Sequence, residues 1–270
     1  MAKRFEGCAV FITGAGTGIG AAMARQFAAE GARVALAGRR EDKLAIVADA
    51  IREKGGEALP VQCDVTSRES IDAAVARTVE AFGGLDVCVA NAGFGIAGKF
   101  ERLTTGDYRR QFDTNVFGVI DTAYAAFPHL AERNGRFAVV SSVAGRLGTP
   151  GTSAYAASKF AVCGWAESVA PEWTTKGVSM TLLNPGFVES EIRHKDNDEA
   201  VRADLKDPAP QWLVMPAETA ASKMLNAIHR RRFEVIITGH GKVFVGLARK
   251  FPRTVHFLMR KFAAPKRKKN

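Results

Sequence analysis

A chain of 270 residues, 47% of them hydrophobic, suits one large α/β domain with a sizeable core. Its formal net charge is +10, yet residues 235–270 hold ten Lys/Arg and no Asp or Glu, so the body is neutral and the excess sits at the C-terminal end. No run of about 18 apolar residues occurs, which argues against a membrane-spanning helix.

The first residues carry Lys3 and Arg4 and pass straight into a strand pattern without a cleavage-site region, so no signal peptide is expected. Cys8, Cys63, Cys88 and Cys163 are scattered, with no CxxC or metal-ligand spacing. They read as small buried thiols in a reducing cytoplasm, and no metal is expected. Short apolar runs then alternate with longer segments of helical period. Strands are predicted at 8–13, 33–37, 58–62, 85–90, 137–141, 178–184 and 233–237. Each is nearly continuously apolar rather than alternating, as in strands buried on both faces of a parallel sheet. Helices are predicted at about 18–30, 41–54, 67–82, 107–133, 152–175 and 217–230. This order predicts a single doubly wound α/β domain over residues 1–238, with about seven parallel strands and helices on both faces. Residues 188–215 are charged and irregular and read as a lid beyond the strand ends. Residues 239–270 read as a basic amphipathic extension.

The first strand runs into Gly14, Gly16, Thr17, Gly18, Ile19 and Gly20, where the next helix begins. Glycines there let the backbone turn sharply and approach a pyrophosphate, which the free N–H groups of the helix start would hold. Position 38, eighteen residues after Gly20, is where an NAD-binding unit would place a carboxylate for the ribose 2′-hydroxyl. Here Gly38 is followed by Arg39 and Arg40, a donor set suited to a 2′-phosphate, so NADP(H) is expected ahead of NAD(H). Asp64 and Val65, after the third strand, either face the adenine or begin a helix cap near Ser67.

Tyr155 and Lys159 are four apart at the start of a helix, which puts them on one face. A phenol is a poor base at neutral pH, and a cation one turn away favours its phenolate. Ser142 closes the fifth strand thirteen residues earlier, at the sheet edge where the Tyr155 helix starts. Its neighbour Ser141 points to the opposite face, so only one of the two can hold a carbonyl oxygen there. Asn91, Ala92 and Gly93 end the fourth strand. Asn115 stands inside a helix, where asparagine is unfavourable, and can order a water behind Lys159.

Together these motifs resemble the short-chain dehydrogenase/reductase family in its branch of about 250 residues. The match runs over about residues 5–237, and the spacings agree throughout. The resemblance implies a Rossmann-type domain and a hydride transfer between a nicotinamide and a carbonyl/secondary alcohol pair. It implies that Tyr155 moves the substrate proton, that Lys159 binds the nicotinamide ribose and depresses the tyrosine pKa, and that Ser142 orients the carbonyl. Asn115 would hold a relay water, Asn91 and Ala92 would line the adenosine-ribose side, and Pro185, Gly186 and Val188 would cradle the carboxamide. Ser190 keeps a hydroxyl where the family often has threonine. Ala90 departs from the usual Asn in a minor way. A homodimer or homotetramer is implied as well.

Phe94, Ile96, Val143, Ala144, Phe187, Ile192 and Trp212 are expected to line the substrate pocket, which favours a lipophilic substrate; the alternative is that they pack the lid. Residues 240–264 read as two short helices split by Pro252, with stripes Val243, Phe244, Leu247, Phe251 and Val255, Leu258, Met259, Phe262. Three readings of this end stand: a cap on the body or an oligomer interface, contact with an anionic membrane, or binding of an acidic partner. Nucleic acid is not expected, since no recognition fold accompanies the charge. The alternative to an enzyme is a non-catalytic nucleotide-binding protein that uses this extension to hold a partner or membrane.

Overall fold

The computed structural model describes residues 3–190, 197 and 210–263. Seven parallel strands form one sheet: β1 Ala9–Thr13, β2 Arg33–Gly38, β3 Glu57–Gln62, β4 Val87–Ala90, β5 Arg136–Val140, β6 Ser179–Asn184 and β7 Glu234–Ile236, in the order β3-β2-β1-β4-β5-β6-β7. Every β1 and β4 residue is buried, so an apolar side chain is favoured at each position and no polar alternation develops.

Helices cover both faces. The α1 helix (Gly18–Ala29) and α2 (Glu41–Arg52) lie with α7 (Ala217–His229) on one side, where Met23, Phe27, Leu44, Leu225 and Ile228 meet Val10 and Ile12 of β1. The opposite face carries α3 (Arg68–Phe82), α5 (Gly118–Glu132) and α6 (Ser153–Thr174), where Ile71, Phe82, Leu130 and Val162 meet Ala9 and Phe11. Successive β1 residues thus feed opposite layers, as the two-residue period of a strand requires.

The expected helix at 107–133 is interrupted. The α4 helix (Thr105–Phe112) opens on a capping box between Thr104 and Asp107, and a π-helical turn, Asp113–Phe117, separates it from α5. An extra residue in a turn re-aims the side chains on it, a distortion frequent at functional sites. Asn115 lies within it. Two further helices, α8 (Gly239–Lys250) and α9 (Pro252–Ala263), close the described chain. Packing there differs from expectation. Val245 and Gly241 are the buried residues of α8, whereas the stripe Val243, Leu247 and Phe251 faces outward. Among the described residues, no helix is long and apolar enough to cross a membrane.

Candidate active site

The order of the strands reverses between β1 and β4, and a cleft of about 980 Å³ opens at their carboxyl ends. At one end lies the glycine turn. A Cβ at Gly20 would sit 2.2 Å from the Gly14 carbonyl oxygen, and Gly14 itself has φ +66°. The turn is therefore too tight for any other residue at position 20. Thr17 stands at the α1 N-cap without a side-chain capping bond, and no acidic residue lies in the first turn. That leaves the start of α1 suited to an anion. Thr13 Oγ1 accepts from the backbone N–H of both Asn91 and Ala92 at 3.0 Å. The Asn91 amide donates to the Thr13 and Gly14 carbonyls at 2.9 and 3.2 Å, tying β4 to the turn.

All of Gly14, Gly16, Thr17, Gly18, Ile19, Gly20, Arg39, Arg40, Asp64, Val65, Asn91, Ala92, Gly93, Pro185, Gly186, Val188 and Ser190 line this cleft. Lys43, from the first turn of α2, joins Arg39 and Arg40 there. Arg40 also donates to Thr17 Oγ1 at 3.4 Å. Asp64 stands at the cleft and in the turn before α3. It lines the cleft and also accepts from Thr66 N and Oγ1 at 2.9 and 2.8 Å, while Ser67 is the cap of α3.

At the other end of the cleft, Ser142, Tyr155 and Lys159 line the wall together, and Ser142 Oγ donates to the Pro185 carbonyl at 3.4 Å. Ser142 Oγ also accepts from Ala144 N at 3.1 Å, at the start of a 3₁₀ turn. Ser141 points the other way, to the Lys159 carbonyl and Cys163 Sγ, both at 3.3 Å. Lys159 is buried, and its Nζ donates to the Val140 carbonyl at 2.9 Å while lying 5.8 Å from the Tyr155 ring centre. Burial pushes the Tyr155 phenol up, with the nearby Ser142 hydroxyl opposing it. This is opposite to the expected depression by Lys159. Desolvation outweighs a cation whose proton is turned to a backbone carbonyl.

The same burial lowers Lys159 to about 8, with a nearby thiol, Cys163, opposing it. Unfolding returns the amine to its ordinary 10.5, so the unfolded chain binds that proton more tightly and this group's contribution to stability rises with pH between about 8 and 10.5. The free protein is expected to show one lysine titrating near pH 8 by NMR, missing in Lys159→Arg. Titration of every lysine near its ordinary value would refute it.

Asn115 is fully buried behind the cleft rather than lining it. Its Nδ2 donates to the Phe94 carbonyl at 3.0 Å and Ser158 Oγ at 3.2 Å, and its Oδ1 accepts from Phe94 N at 3.1 Å. Gln111, one turn earlier and missed by the sequence reading, clamps the same loop through Phe94 O and Ile96 N, both at 2.7 Å. Its signal was a polar residue four before Asn115, on the same helix face. Since both amide hydrogens of Asn115 are engaged, only one Oδ1 lone pair remains for a water. Asn115→Ala is expected to cost about 1–3 kcal/mol by stranding the Phe94 N–H, a loss read by urea denaturation. An unchanged midpoint would contradict the clamp.

Of the residues expected around the substrate, Phe94, Ile96, Val143, Ala144 and Phe187 line the cleft. Trp212 is not among the residues lining it and is 82% exposed, on a short 3₁₀ turn, Gln211–Leu213. Ile192 lies outside the described residues, as does most of the expected lid. The lid's two ends are joined, since Val188 bridges Met215. The sequence reading also missed three contributors from the C-terminal helices: His240, Phe244 and Met259 line the cleft. His240 stacks on Phe187 at 5.2 Å and accepts from its N–H at 3.3 Å.

A doubly wound parallel sheet with an open helix start at its switch point, and a tyrosine, serine and lysine gathered at the same edge, is the architecture of a nicotinamide-dependent oxidoreductase. The short chain dehydrogenase family description matches residues 8–201, and the chain belongs to that family, whose members act on CH–OH and C=O groups with a nicotinamide cofactor. It is 33% identical over 264 residues to the uncharacterized oxidoreductase YxnA of Bacillus subtilis, covering 96% of this chain and 73% of that protein. A 3beta-hydroxysteroid dehydrogenase of Mediterraneibacter gnavus is 34% identical over 217 residues, 78% of each chain. The crystal structure of a short-chain dehydrogenase/reductase from Burkholderia phymatum in complex with NAD superposes with a TM-score of 0.83 at 28% identity, covering 93% of this chain and 96% of that one.

Proposed function

We propose that this protein interconverts a lipophilic carbonyl compound and its secondary alcohol with NADP(H), using Tyr155 as acid/base. The observation that carries the proposal is the gathering of Tyr155 and Ser142 on one wall of the cleft, with Lys159 buried beside them. When bound, NADP(H) supplies or takes up the hydride. Ser142 holds the substrate oxygen against the phenol. In reduction Tyr155 donates its proton to that oxygen; in oxidation it takes the proton back. Burial keeps the phenol protonated at neutral pH, which suits it to donate. Lys159 stands 5.8 Å from the ring as a cation to balance the phenolate once it forms. Asn115 holds Phe94 and the loop beside the phenol, with one lone pair left for a relay water.

The start of α1 would hold the pyrophosphate, Asn91, Ala92 and Gly93 the adenosine-ribose side, Asp64 and Val65 the adenine, and Pro185, Gly186, Val188 and Ser190 the carboxamide end. Arg39, Arg40 and Lys43 at that end of the cleft, with Gly38 in place of a carboxylate, support the 2′-phosphorylated cofactor. The apolar wall of Phe94, Ile96, Val143, Ala144, Phe187, Phe244 and Met259 supports a lipophilic substrate, and one relative is named for a 3beta-hydroxysteroid. Exposed Phe117 and Tyr124 near and on α5 and Phe160 on α6 offer apolar area for a homodimer or homotetramer. Four free cysteines suit a reducing cytoplasm, and the basic extension suits peripheral membrane contact.

NADPH oxidation across a panel of aliphatic, aromatic and steroidal ketones tests the proposal. Turnover of the bulkier apolar members is the expected result. Tight NADPH binding with no turnover of any carbonyl would instead make this a nucleotide-binding partner protein.

A further inference from the structure

The α8 helix is fastened to the catalytic wall. A Cβ on its buried Gly241 would meet Val143 Cγ2 at 2.7 Å, so this helix packs directly on the turn after Ser142. Arg249 pairs with Glu234 at 3.0 Å, and Glu234 in turn accepts from Arg146 at 2.8 Å. What this packing leaves outside is apolar. Val243, Leu247 and Phe251, four residues apart, are 60%, 45% and 49% exposed, and Leu258 on α9 is 45% exposed. Phe244 is half exposed on the same helix and also lines the cleft with Met259, so the apolar side chains of this helix pair stand both on its outer face and in the cleft wall. Lys242, Lys250, Arg253, Arg260 and Lys261 stand exposed among these side chains.

We propose that the α8–α9 pair is an interfacial membrane-docking element that seats on anionic lipid and opens the cleft to substrate dissolved in the bilayer. The charge selects the occupant. Residues 235–270 contain no acid, so a second copy facing this surface symmetrically would set cations against cations. An acidic protein matches the charge but gives the exposed leucine and phenylalanine side chains no role. A bilayer with anionic headgroups accommodates both, with the bases at the headgroups and the apolar stripe at the acyl boundary. A route into the cleft then follows for lipid-dissolved molecules. The last step rests on the cleft being the site of a lipophilic carbonyl; the docking itself does not.

Vesicle flotation of the full chain is the test, with mixed phosphatidylglycerol–phosphatidylcholine vesicles against phosphatidylcholine alone, at low and high salt. The expected result is flotation with the anionic vesicles, weakened by salt. Leu247→Asp with Leu258→Asp should cut the bound fraction at least about tenfold, since both apolar contacts are lost. That double variant should keep NADPH binding and turnover of a water-soluble ketone. A ketone retained in vesicles should be reduced faster on anionic vesicles by the parent chain alone. Absence of flotation at low salt, or flotation unchanged in the double variant, overturns the proposal. A lipid-free shift from oligomer to monomer in that variant, seen by sedimentation, would assign the face to a second copy and overturn it as well. If flotation behaves as expected while no ketone is reduced, docking stands and the catalytic assignment falls.

Discussion

Replacing Tyr155 by phenylalanine is expected to lower kcat by about 10²–10⁴-fold, the usual worth of a positioned general acid. The ring stays, so its packing over Lys159 and against the loop at Gly95 is kept, and neither NADPH affinity nor melting temperature should change appreciably. The hydroxyl alone is removed, and with it the proton that the mechanism delivers. The measurement is steady-state NADPH oxidation with the best ketone of the panel, beside cofactor titration and a thermal melt. Turnover that survives the substitution would refute Tyr155 as the proton donor. A variant that fails to bind NADPH would show instead that the hydroxyl supports the fold of the cleft.

The second large effect is expected at the cofactor's adenosine end. Gly38→Asp should weaken NADPH binding by roughly 10²-fold and favour NADH. A carboxylate a few ångströms from a phosphate is repelled by a few kcal/mol at an effective dielectric of about 20, whereas it can accept from a ribose hydroxyl. The substitution fits sterically, because a Cβ at Gly38 meets only Leu44 Cδ2 at 3.5 Å, an ordinary contact. Arg39→Ala should act in the same direction by about tenfold, the loss of one charge-assisted bond. Dissociation constants for both cofactors, measured by fluorescence, give the ratio. An unchanged ratio in both variants would remove the basis for the phosphorylated cofactor.

The sheet was legible because its information is local. β1 is apolar up to its last residue, Thr13, and β4 at every position, and that pattern implies burial on both faces. The glycine turn was legible for a similar reason, since a steric demand at Gly20 leaves its mark on one residue. The three-way register of Ser142, Tyr155 and Lys159 needed only the rule that strand ends and following helix starts meet at one edge.

The sequence by itself therefore determined the doubly wound sheet and the family, and named many of the residues that line the cleft. Tertiary structure decided what each of them experiences there. The direction of the Tyr155 shift is set by desolvation, a property of everything packed around the phenol that spacing to Lys159 does not reveal. Asn115 and Gln111 spend their amides on the Phe94 loop because a π-helical turn aims Asn115 there, and no period in the chain announces such a turn. Trp212 turned outward while Phe244 and Met259 turned inward, from opposite sides of α7 in the chain. The approach of Tyr155 and Lys159 was thus readable from a few residues of sequence. Part of the apolar wall, Phe244 and Met259, comes from a segment about a hundred residues away, and only packing brings it to the cleft.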